Sequence, residues 1–515
     1  MIWKTSLRIQ PEKIKDLLFI KQSASDALKI AIEEINAVQI TRRSVDARGR
    51  TPMFQIQVAV YNDEPVQELF QPIHYQSVQK GKPVMIVGSG PAGLFAALRL
   101  IELGIRPVVL DRGKNITERR FDLKSLQTNG LVNPDSNYCF GEGGAGTYSD
   151  GKLYTRSTKR GDTRKILSIL VQHGAVQDIL INSHPHIGTN RLPAIIEGIR
   201  NTIIASGGSI HFNSKVVDLI LKDRKIQGVR TEHEEYAAEA VILATGHSAR
   251  DIYYLMDRHD ILLEAKPFAM GVRVEHSQDL INDIQYGSFK NTDNLPTASY
   301  SLSCQINGTG IYSFCMCPGG MLVPASTAPG ELVLNGMSNS LRNLPHANSG
   351  MVVSIDSKVY GAYEKFQHFA GLEYQKEIEE KAFHAGGECL AAPAQRLTDF
   401  LENRVSGSLP GTSYIPGMIS YDLKKVLGPF ISEHLKAGLK VFGSNMRGYV
   451  TKEATLLAVE SRTSSPVRIP RSKTTWMHPQ IEGLYPAGEG AGYSGGIVSS
   501  ALDGNACADA VSRYL

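Results

Sequence analysis

The spacing of hydrophobic residues predicts a small mixed domain at the start of the chain. Ile2–Ile9 alternate between apolar and polar like a short strand, whereas Ser25–Ala37 carry apolar residues at helical spacing. Val38–Arg43 and Phe54–Tyr61 alternate again around an Arg48-Gly49-Arg50 turn, which is the pattern of a hairpin. These elements predict a small α+β domain within residues 1–75.

The pattern after the Pro72–Lys82 linker predicts an α/β sheet with one insertion. Pro83–Val87 is a short apolar run typical of a buried parallel strand, and strands and helices alternate from there to about residue 260. Strand-like runs, glycine turns and helical stretches at 395–403 and 430–439 then predict a mixed α+β insertion. The predicted fold class is α/β, with these segments: a small N-terminal α+β domain at 1–75, a Rossmann-like domain at 82–260 and 446–515, and a substrate domain at 261–445.

A dinucleotide fingerprint lies at the first strand of this sheet. The run Gly88-Ser89-Gly90-Pro91-Ala92-Gly93 follows the strand and begins a predicted helix, Pro91–Leu103. The glycines allow a tight turn, a close approach of backbone to pyrophosphate, and close packing of helix on strand. Asp111 ends the second predicted strand, 23 residues after Gly88, where an acid accepts hydrogen bonds from a ribose. A glycine-rich turn without a ligand would not require an acid at that distance.

Four later segments resemble the flavin-contacting parts of the two-dinucleotide-fold flavoproteins, in which FAD lies extended across the first and last segments. They are Asp111-Arg112, the glycine run Phe140–Leu153, the strand and turn Val241–Gly246, and Gly483–Ile497 before a predicted helix, Gly496–Tyr514. Consecutive backbone N–H groups and a helix N-terminus both favour the anionic parts of such a cofactor. The resemblance implies that FAD is bound by the fingerprint and by the following residues: Asp111, Arg112, Gly143, Gly144, Thr147, Val216, Ala244, Thr245, Gly246, Gly488, Glu489, Gly495, Gly496 and Ile497.

The likeness extends over nearly the whole chain. The motifs CFGEGGAGTYSDGKL, HPHIGTN, ATGHSARD, CPGG and NGMS together resemble the poorly characterised bacterial FAD-dependent dehydrogenases with a small N-terminal α+β domain. This implies an FAD-dependent oxidoreductase that transfers a hydride between the flavin and a small organic substrate. Phe212–Val216 resembles the family's strand whose valine backbone contacts adenine. One detail departs from the family: Gly488-Glu489 stands where the family has Gly-Asp.

The chain has no second fingerprint in a strand–helix setting. NAD(P)H would therefore reduce the flavin by docking transiently or by binding the substrate domain, or the substrate itself would reduce it. In the segment Phe314–Gly320, Cys315 and Cys317 have the spacing that places both on one side of an extended strand. Cys317 is our candidate catalytic residue, lining the reactive face of the flavin; a purely structural cysteine and a redox pair stay open as alternatives. The spacing of ligand-type residues predicts no metal site.

Two polar segments have open roles. His184 and His186 suit either a structural loop or substrate binding, and His247 directly follows the predicted flavin-side turn. Arg462, Arg468 and Arg471 suit either an anionic substrate or a domain interface.

Composition and charge limit the partners and the cellular location that we predict. A formal net charge of +4 over 515 residues is too weak to indicate a nucleic-acid partner, and six cysteines do not suggest a disulfide scaffold. The N-terminus lacks a secretory signal and no run is long enough to span a membrane, so we predict a cytoplasmic protein with a small-molecule substrate. No feature of the sequence sets an oligomeric state.

Three other functions stay open as alternatives to the FAD-dependent oxidoreductase. They are an RNA-modifying flavoprotein that docks through the hairpin arginines Arg42, Arg43, Arg48 and Arg50, a polyprenyl-type reductase, and a non-catalytic FAD-binding sensor.

Overall fold

The N-terminal part is an antiparallel sheet with one packed helix. The structure, a computed structural model, describes residues 1–155 and 161–515. Strands β1 (Ile2–Ile9), β2 (Ala37–Asp46) and β3 (Met53–Tyr61) pair in the order β1-β3-β2, and α1 (Leu17–Leu28) covers them. Ile9, Ile20 and Ile56 are buried between helix and sheet. The predicted hairpin is therefore present, with its turn between β2 and β3.

The predicted helix at Ser25–Ala37 is wrong. The helix begins earlier because the Asp16 carboxylate accepts a hydrogen bond from the Phe19 N–H and caps the first turn. It ends at Leu28 because Lys29 takes a left-handed conformation, with φ of 57°. Ile35 lies outside the helix, yet it is buried in the same core, which explains the misleading period.

A five-stranded parallel sheet forms the centre of the second part. Its strands, in spatial order, are β21 (Leu484–Pro486), β10 (Val241–Leu243), β4 (Pro83–Val87), β5 (Arg106–Leu110) and β6 (Ser209–His211). The helices α2 (Pro91–Glu102) and α11 (Ile497–Tyr514) pack against each other in this part. Other helices here are α3 (Ile116–Asn129), α4 (Thr163–Gln172), α5 (Leu192–Ala205) and α6 (Arg250–Arg258). This arrangement confirms the predicted α/β fold class with a Rossmann-like sheet.

A larger, mostly antiparallel sheet forms the third part. Its main path, in spatial order, is β13 (Ser303–Ile306), β14 (Thr309–Pro324), β16 (His346–Ile355), β12 (Phe268–Ser277), β19 (Thr455–Glu460), β17 (Ala392–Arg396) and β18 (Met418–Ser420), and β15 (Leu334–Ser338) pairs with β14. Its helices are α7 (Gln278–Tyr286), α8 (Ala370–Ala385), α9 (Leu397–Leu401) and α10 (Leu423–Asn445). Smaller pairings complete the fold: β7 (Val216–Lys222) with β8 (Lys225–Thr231) and β9 (Glu235–Ala237), and β11 (Glu264–Ala265) with β20 (Val467–Arg468).

Three smaller predictions need correction. Residues 212–215 are not a strand but the loop between β6 and β7, in which Asn213 has φ of 52° and its N–H donates to the Gly113 carbonyl, and Val216 is the first residue of β7. The helix predicted at 395–403 is only α9, because Gln395 and Arg396 pair with β19. The helix predicted at 430–439 is the middle of the longer α10, which begins where Asp422 caps it.

In the described ranges, no helix combines the length and the apolar character that a bilayer span requires.

Candidate active site

One large cavity is lined by residues of both the parallel and the antiparallel sheet. Its volume is about 1140 Å³, slightly above the usual range for a small-molecule site. Sixteen of the twenty residues predicted to bind the cofactor line it, as does Cys317. The four that do not are Ser89, Gly93, Gly143 and Thr147.

The fingerprint forms the turn between β4 and α2 at one end of the cavity. Gly88 has φ of 105°, and a Cβ added there would lie 2.4 Å from the Ala244 carbonyl oxygen. A Cβ on Gly93 would lie 1.9 Å from the Gly88 carbonyl oxygen, so Gly93 allows the helix to pack on the strand. Helix α2 has Gly90 as its N-cap and Pro91 in its first turn, and no side chain caps it. Its first N–H groups are therefore available to an anion in the cavity.

Asp111 organises this turn from the end of β5. Its buried carboxylate accepts hydrogen bonds from the Ser89 N–H at 2.8 Å, the Ser89 hydroxyl at 2.6 Å and the Gly113 N–H at 2.9 Å. A carboxylate has about four acceptor positions, so one stays open towards a ribose hydroxyl. Ser89 thus supports the site from behind the cavity wall. Arg112 packs over the Phe140 ring and is paired with Asp251, with 2.6 Å between Nη2 and Oδ2.

The glycine-rich loop is held by an arginine that sequence reasoning missed. Arg119 of α3 is fully buried and donates to the carbonyl oxygens of Asn137, Glu142 and Gly144. Gly144 lies against Gly90, since a Cβ on Gly144 would be 3.1 Å from the Gly90 Cα. Gly143 and Thr147 shape the loop from its buried side, where the Thr147 hydroxyl donates to the Glu142 carbonyl oxygen. The sequence gives no signal that Arg119 reaches this loop.

The C-terminal segment closes the same end of the cavity. The Gly488 N–H donates to Asp503 Oδ2 at 2.7 Å, and Asp503 pairs with Arg471 at 2.5 Å between Oδ1 and Nη2. Glu489 lines the cavity, 3.4 Å from His247 Nδ1. Helix α11 begins directly after Gly496 and also has no side-chain cap. Asp503, on α11, is a second residue that sequence reasoning missed.

The prediction that Cys315 and Cys317 face the same side is wrong. The pairing of β14 with β16 shifts register between Phe314 and Cys317, and Cys315 has φ of 45°, so a bulge separates the two residues. Both line the cavity, but Cys315 is exposed and Cys317 is buried. The Cys317 thiol lies 3.2 Å from the Cys315 carbonyl oxygen and 3.9 Å from Lys152 Nζ. Cys315 is open to the cavity, but the protein atoms packed around its thiol desolvate the thiolate and raise its pKa to about 11, although Lys152 opposes the shift.

A charged cluster lies beside these cysteines. Asp150 is buried and paired with Arg342 at 2.5 Å, while Lys152 Nζ lies 3.8 Å from the same carboxylate. Burial alone would raise the pKa of Asp150, but Lys152 and Arg342 hold it below its ordinary value. The loop histidines His184 and His186 are close by. Burial lowers the pKa of both, assisted by Arg42 and Arg342 at His184 and by Arg342 at His186. His186 contacts the Ser340 carbonyl oxygen at 3.2 Å, which fits the structural role considered for this loop.

Buried ion pairs support the wall formed by the large sheet. Arg462 lies 2.6 Å from Glu331 and 3.0 Å from Glu379, and Arg250 of α6 pairs with the same two acids. Arg250 thus holds α6 to the third part of the chain, and Arg462 lines the cavity beside the same two acids. Arg471 holds the C-terminal turn through Asp503. Arg468 lies farther out, 3.7 Å from Glu264.

The cavity fits the cofactor that the sequence resemblance implies. Two helices begin at it without side-chain caps, and their free N–H groups favour phosphates and the negative charge of a reduced flavin. The close approach of Gly90 and Gly144 leaves a cradle that side chains would fill, and Asp111 keeps an acceptor position. The residues present therefore fit an extended FAD.

Comparisons with known proteins agree with this assignment. Family models match three stretches: a domain of unknown function at 1–61, "Pyridine nucleotide-disulphide oxidoreductase" at 82–265, and "FAD-dependent protein, C-terminal domain-like" at 267–463. An uncharacterized protein of Clostridium beijerinckii is 37% identical over 513 residues, which cover 95% of each chain.

The solved structures to which the chain is similar are more distant. CtdE in complex with FAD is 12% identical, covers 84% of both chains and has a TM-score of 0.34. The flavin-dependent brominase Bmp2 is 12% identical over 84% of this chain and 78% of its own, with a TM-score of 0.36. Likeness at this level carries no information about the substrate.

Proposed function

Because this chain belongs to a poorly characterised family of FAD-dependent oxidoreductases, we propose that it transfers a hydride between FAD and a small organic substrate in one shared cavity. The observation that carries this proposal is the continuity of the cavity. Its wall runs from the fingerprint turn to the side chains of β14 and the large sheet without a separating barrier. Its volume, about 1140 Å³, suits a cofactor with a small molecule beside it.

In this proposal, the parallel-sheet end of the cavity holds the cofactor. The N-terminus of α2 faces the pyrophosphate, Asp111 accepts from the adenosine ribose, and the N-terminus of α11 stabilises negative charge on the flavin. When bound, FAD supplies the hydride chemistry, and the protein supplies orientation and exclusion of water. The Gly488–Glu489 turn, fixed by Asp503, shapes the pocket for the ring.

The opposite wall would hold the substrate. Cys315 is the thiol that a substrate can reach, whereas Cys317 is covered and lies near Lys152. With its pKa raised to about 11, Cys315 keeps its proton at neutral pH and can donate a hydrogen bond or a proton. Cys317 stays the candidate catalytic residue of this wall, lining the reactive face of the flavin. Cys315 is its exposed neighbour.

NAD(P)H is the proposed electron donor, docking transiently in the substrate half of the cavity.

The RNA-modifying alternative is weaker, because three arginines of the basic hairpin have partners within the protein. Arg42 donates to Ser183, Arg43 pairs with Asp178, and Arg48 pairs with Asp46.

An anaerobic titration of the FAD-loaded protein with NADH and then NADPH tests the donor. We expect one of them to bleach the visible flavin band, and deuterium at the transferred position of the nicotinamide to slow bleaching, as hydride transfer requires. No bleaching by either, with full bleaching by dithionite, would contradict the nicotinamide donor. Bleaching without a deuterium effect on a rate-limiting reduction step would contradict hydride transfer.

The role of the cysteines is tested by single serine variants. Cys317→Ser and Cys315→Ser should change the flavin spectrum or the rate of turnover, whereas Cys389→Ser should change neither because Cys389 does not line the cavity. Unchanged turnover and an unchanged flavin spectrum in Cys317→Ser would remove Cys317 as a candidate.

A further inference from the structure

The substrate half of the cavity contains a small cluster of charges with an uneven balance. Arg342 and Lys152 both approach Asp150, from the β15–β16 connection and from the glycine-rich segment. All three residues line the cavity. Two cations therefore face one buried carboxylate, which leaves one surplus positive charge.

The neighbouring groups do not cancel this surplus. The pKa of Asp150 is held low, so this residue contributes the one negative charge already included in the balance. The raised pKa of Cys315 keeps that thiol neutral. His184 and His186 have lowered pKa values and add no charge near pH 7. Glu460, which also lines the cavity, is paired with the buried Arg273.

The two cations have donors to spare. The Lys152 ammonium donates to the Met316 carbonyl oxygen and lies 3.9 Å from the Cys317 sulfur, so one of its three hydrogens stays available, and its side chain is 37% exposed. Arg342 donates to Asp150 through Nε and Nη2, and among the described residues Nη1 has no acceptor. Its backbone has φ of 52° and is fixed by the Asn339 side chain, which accepts from the Arg342 N–H at 2.6 Å. The turn therefore holds this arginine in one place on the wall.

We propose that Lys152 and Arg342 bind the carboxylate of an organic-acid substrate, an inference that rests on the proposed function. A single surplus charge matches a monoanion, and a planar carboxylate matches the remaining N–H groups of a guanidinium. Such binding would hold the acid end of the substrate beside Cys315.

The test uses full-length protein loaded with oxidised FAD. Benzoate, crotonate and acetate are titrated while the flavin difference spectrum and the heat of binding are recorded, with benzamide as the neutral counterpart of benzoate. We expect at least one carboxylate to bind in the millimolar range or better, and benzamide to bind more weakly than benzoate.

Variants connect this binding to the two cations. Lys152→Met and Arg342→Met should each weaken carboxylate binding about ten- to hundredfold, as loss of a charge-assisted hydrogen bond requires. Lys152→Arg should retain most of the affinity. Lys290→Met is the matched control, because Lys290 is a partly buried lysine paired with Asp279 and Asp283 outside the cavity. FAD content and thermal unfolding of each variant establish that it is folded.

Three results would overturn the proposal: no binding of any carboxylate, benzamide binding as tightly as benzoate, or unchanged carboxylate affinity in folded Lys152→Met and Arg342→Met. The titration needs no electron donor. A failure of NADH and NADPH to reduce the flavin would thus count against the proposed function and leave this test valid.

Discussion

Replacement of Gly93 by alanine places one methyl group where helix and strand are already in contact. The new Cβ would lie 1.9 Å from the Gly88 carbonyl oxygen and 3.2 Å from Ile86 Cγ2. The first distance is about 1.5 Å shorter than an ordinary van der Waals contact. The helix cannot move away freely, because Gly504 of α11 packs against the Ala92 carbonyl on another side of it.

The contacts of Gly93 give the size of the expected loss in folding free energy. Overpacking of this kind costs about 1–3 kcal/mol, and occasionally more. Alanine returns up to about 1 kcal/mol through its helix propensity. Because the overlap is with backbone rather than with a flexible side chain, we take the upper end of that cost, about 3 kcal/mol, and expect a net loss of about 2–3 kcal/mol. The same displacement moves the Gly88 carbonyl, so the fingerprint turn should also lose affinity for FAD.

The assay compares Gly93→Ala with Gly407→Ala, whose added methyl would meet no atom within 4 Å. For a domain of roughly 150–250 residues, the expected loss of folding free energy corresponds to a Tm lowered by roughly 4–12 °C. FAD affinity, measured by flavin fluorescence, should fall only in Gly93→Ala. Equal Tm and equal FAD affinity in the two variants would refute the packing argument.

Three further perturbations follow from buried polar groups. Asp503→Asn should weaken FAD binding about tenfold, because the Gly488 N–H loses a charged acceptor; fluorescence titration measures this, and unchanged affinity would contradict the positioning role. Burial lowers the pKa of His276 from 6.5 to about 4, so between these values only the unfolded chain binds a proton there, and stability should fall as the pH falls. Urea unfolding should show this loss, on the order of 3 kcal/mol, in the wild type and a flatter profile in His276→Phe. Glu460→Gln should destabilise the protein by about 3–5 kcal/mol, since it leaves Arg273 buried without its partner. In thermal unfolding, Arg273→Met combined with Glu460→Leu should recover part of that loss, and a normal Tm for Glu460→Gln alone would argue against a charged pair.

The parts of the fold set by neighbouring residues could be predicted from the sequence. The strand, turn and helix around Gly88 have the predicted bounds within one residue, because a tight turn and a helix start depend on local residue types. The α1 prediction failed because the Asp16 cap outweighed a hydrophobic period that tertiary packing had created. Local patterns therefore located the dinucleotide turn well and a packed loop poorly.

The substrate wall depended on contacts between distant residues. Arg342 pairs with Asp150 across 192 positions, and no local pattern connects them. The bulge that separates Cys315 from Cys317 breaks the two-residue period on which their predicted orientation relied. The cofactor contacts of individual residues stay predictions, and direct measurements of FAD affinity in variants will test them.

The central sheet also constrains how the protein can be made. Strand β10 ends at Leu243, and its neighbour on one side, β21, begins at Leu484, so 240 residues separate the two. At about 5–20 residues per second, a ribosome needs roughly 12–48 s to supply the second strand after the first. For that interval one edge of β10 lacks its partner, and such an edge favours aggregation. Slow translation or a shortage of chaperones should therefore reduce the yield of soluble protein.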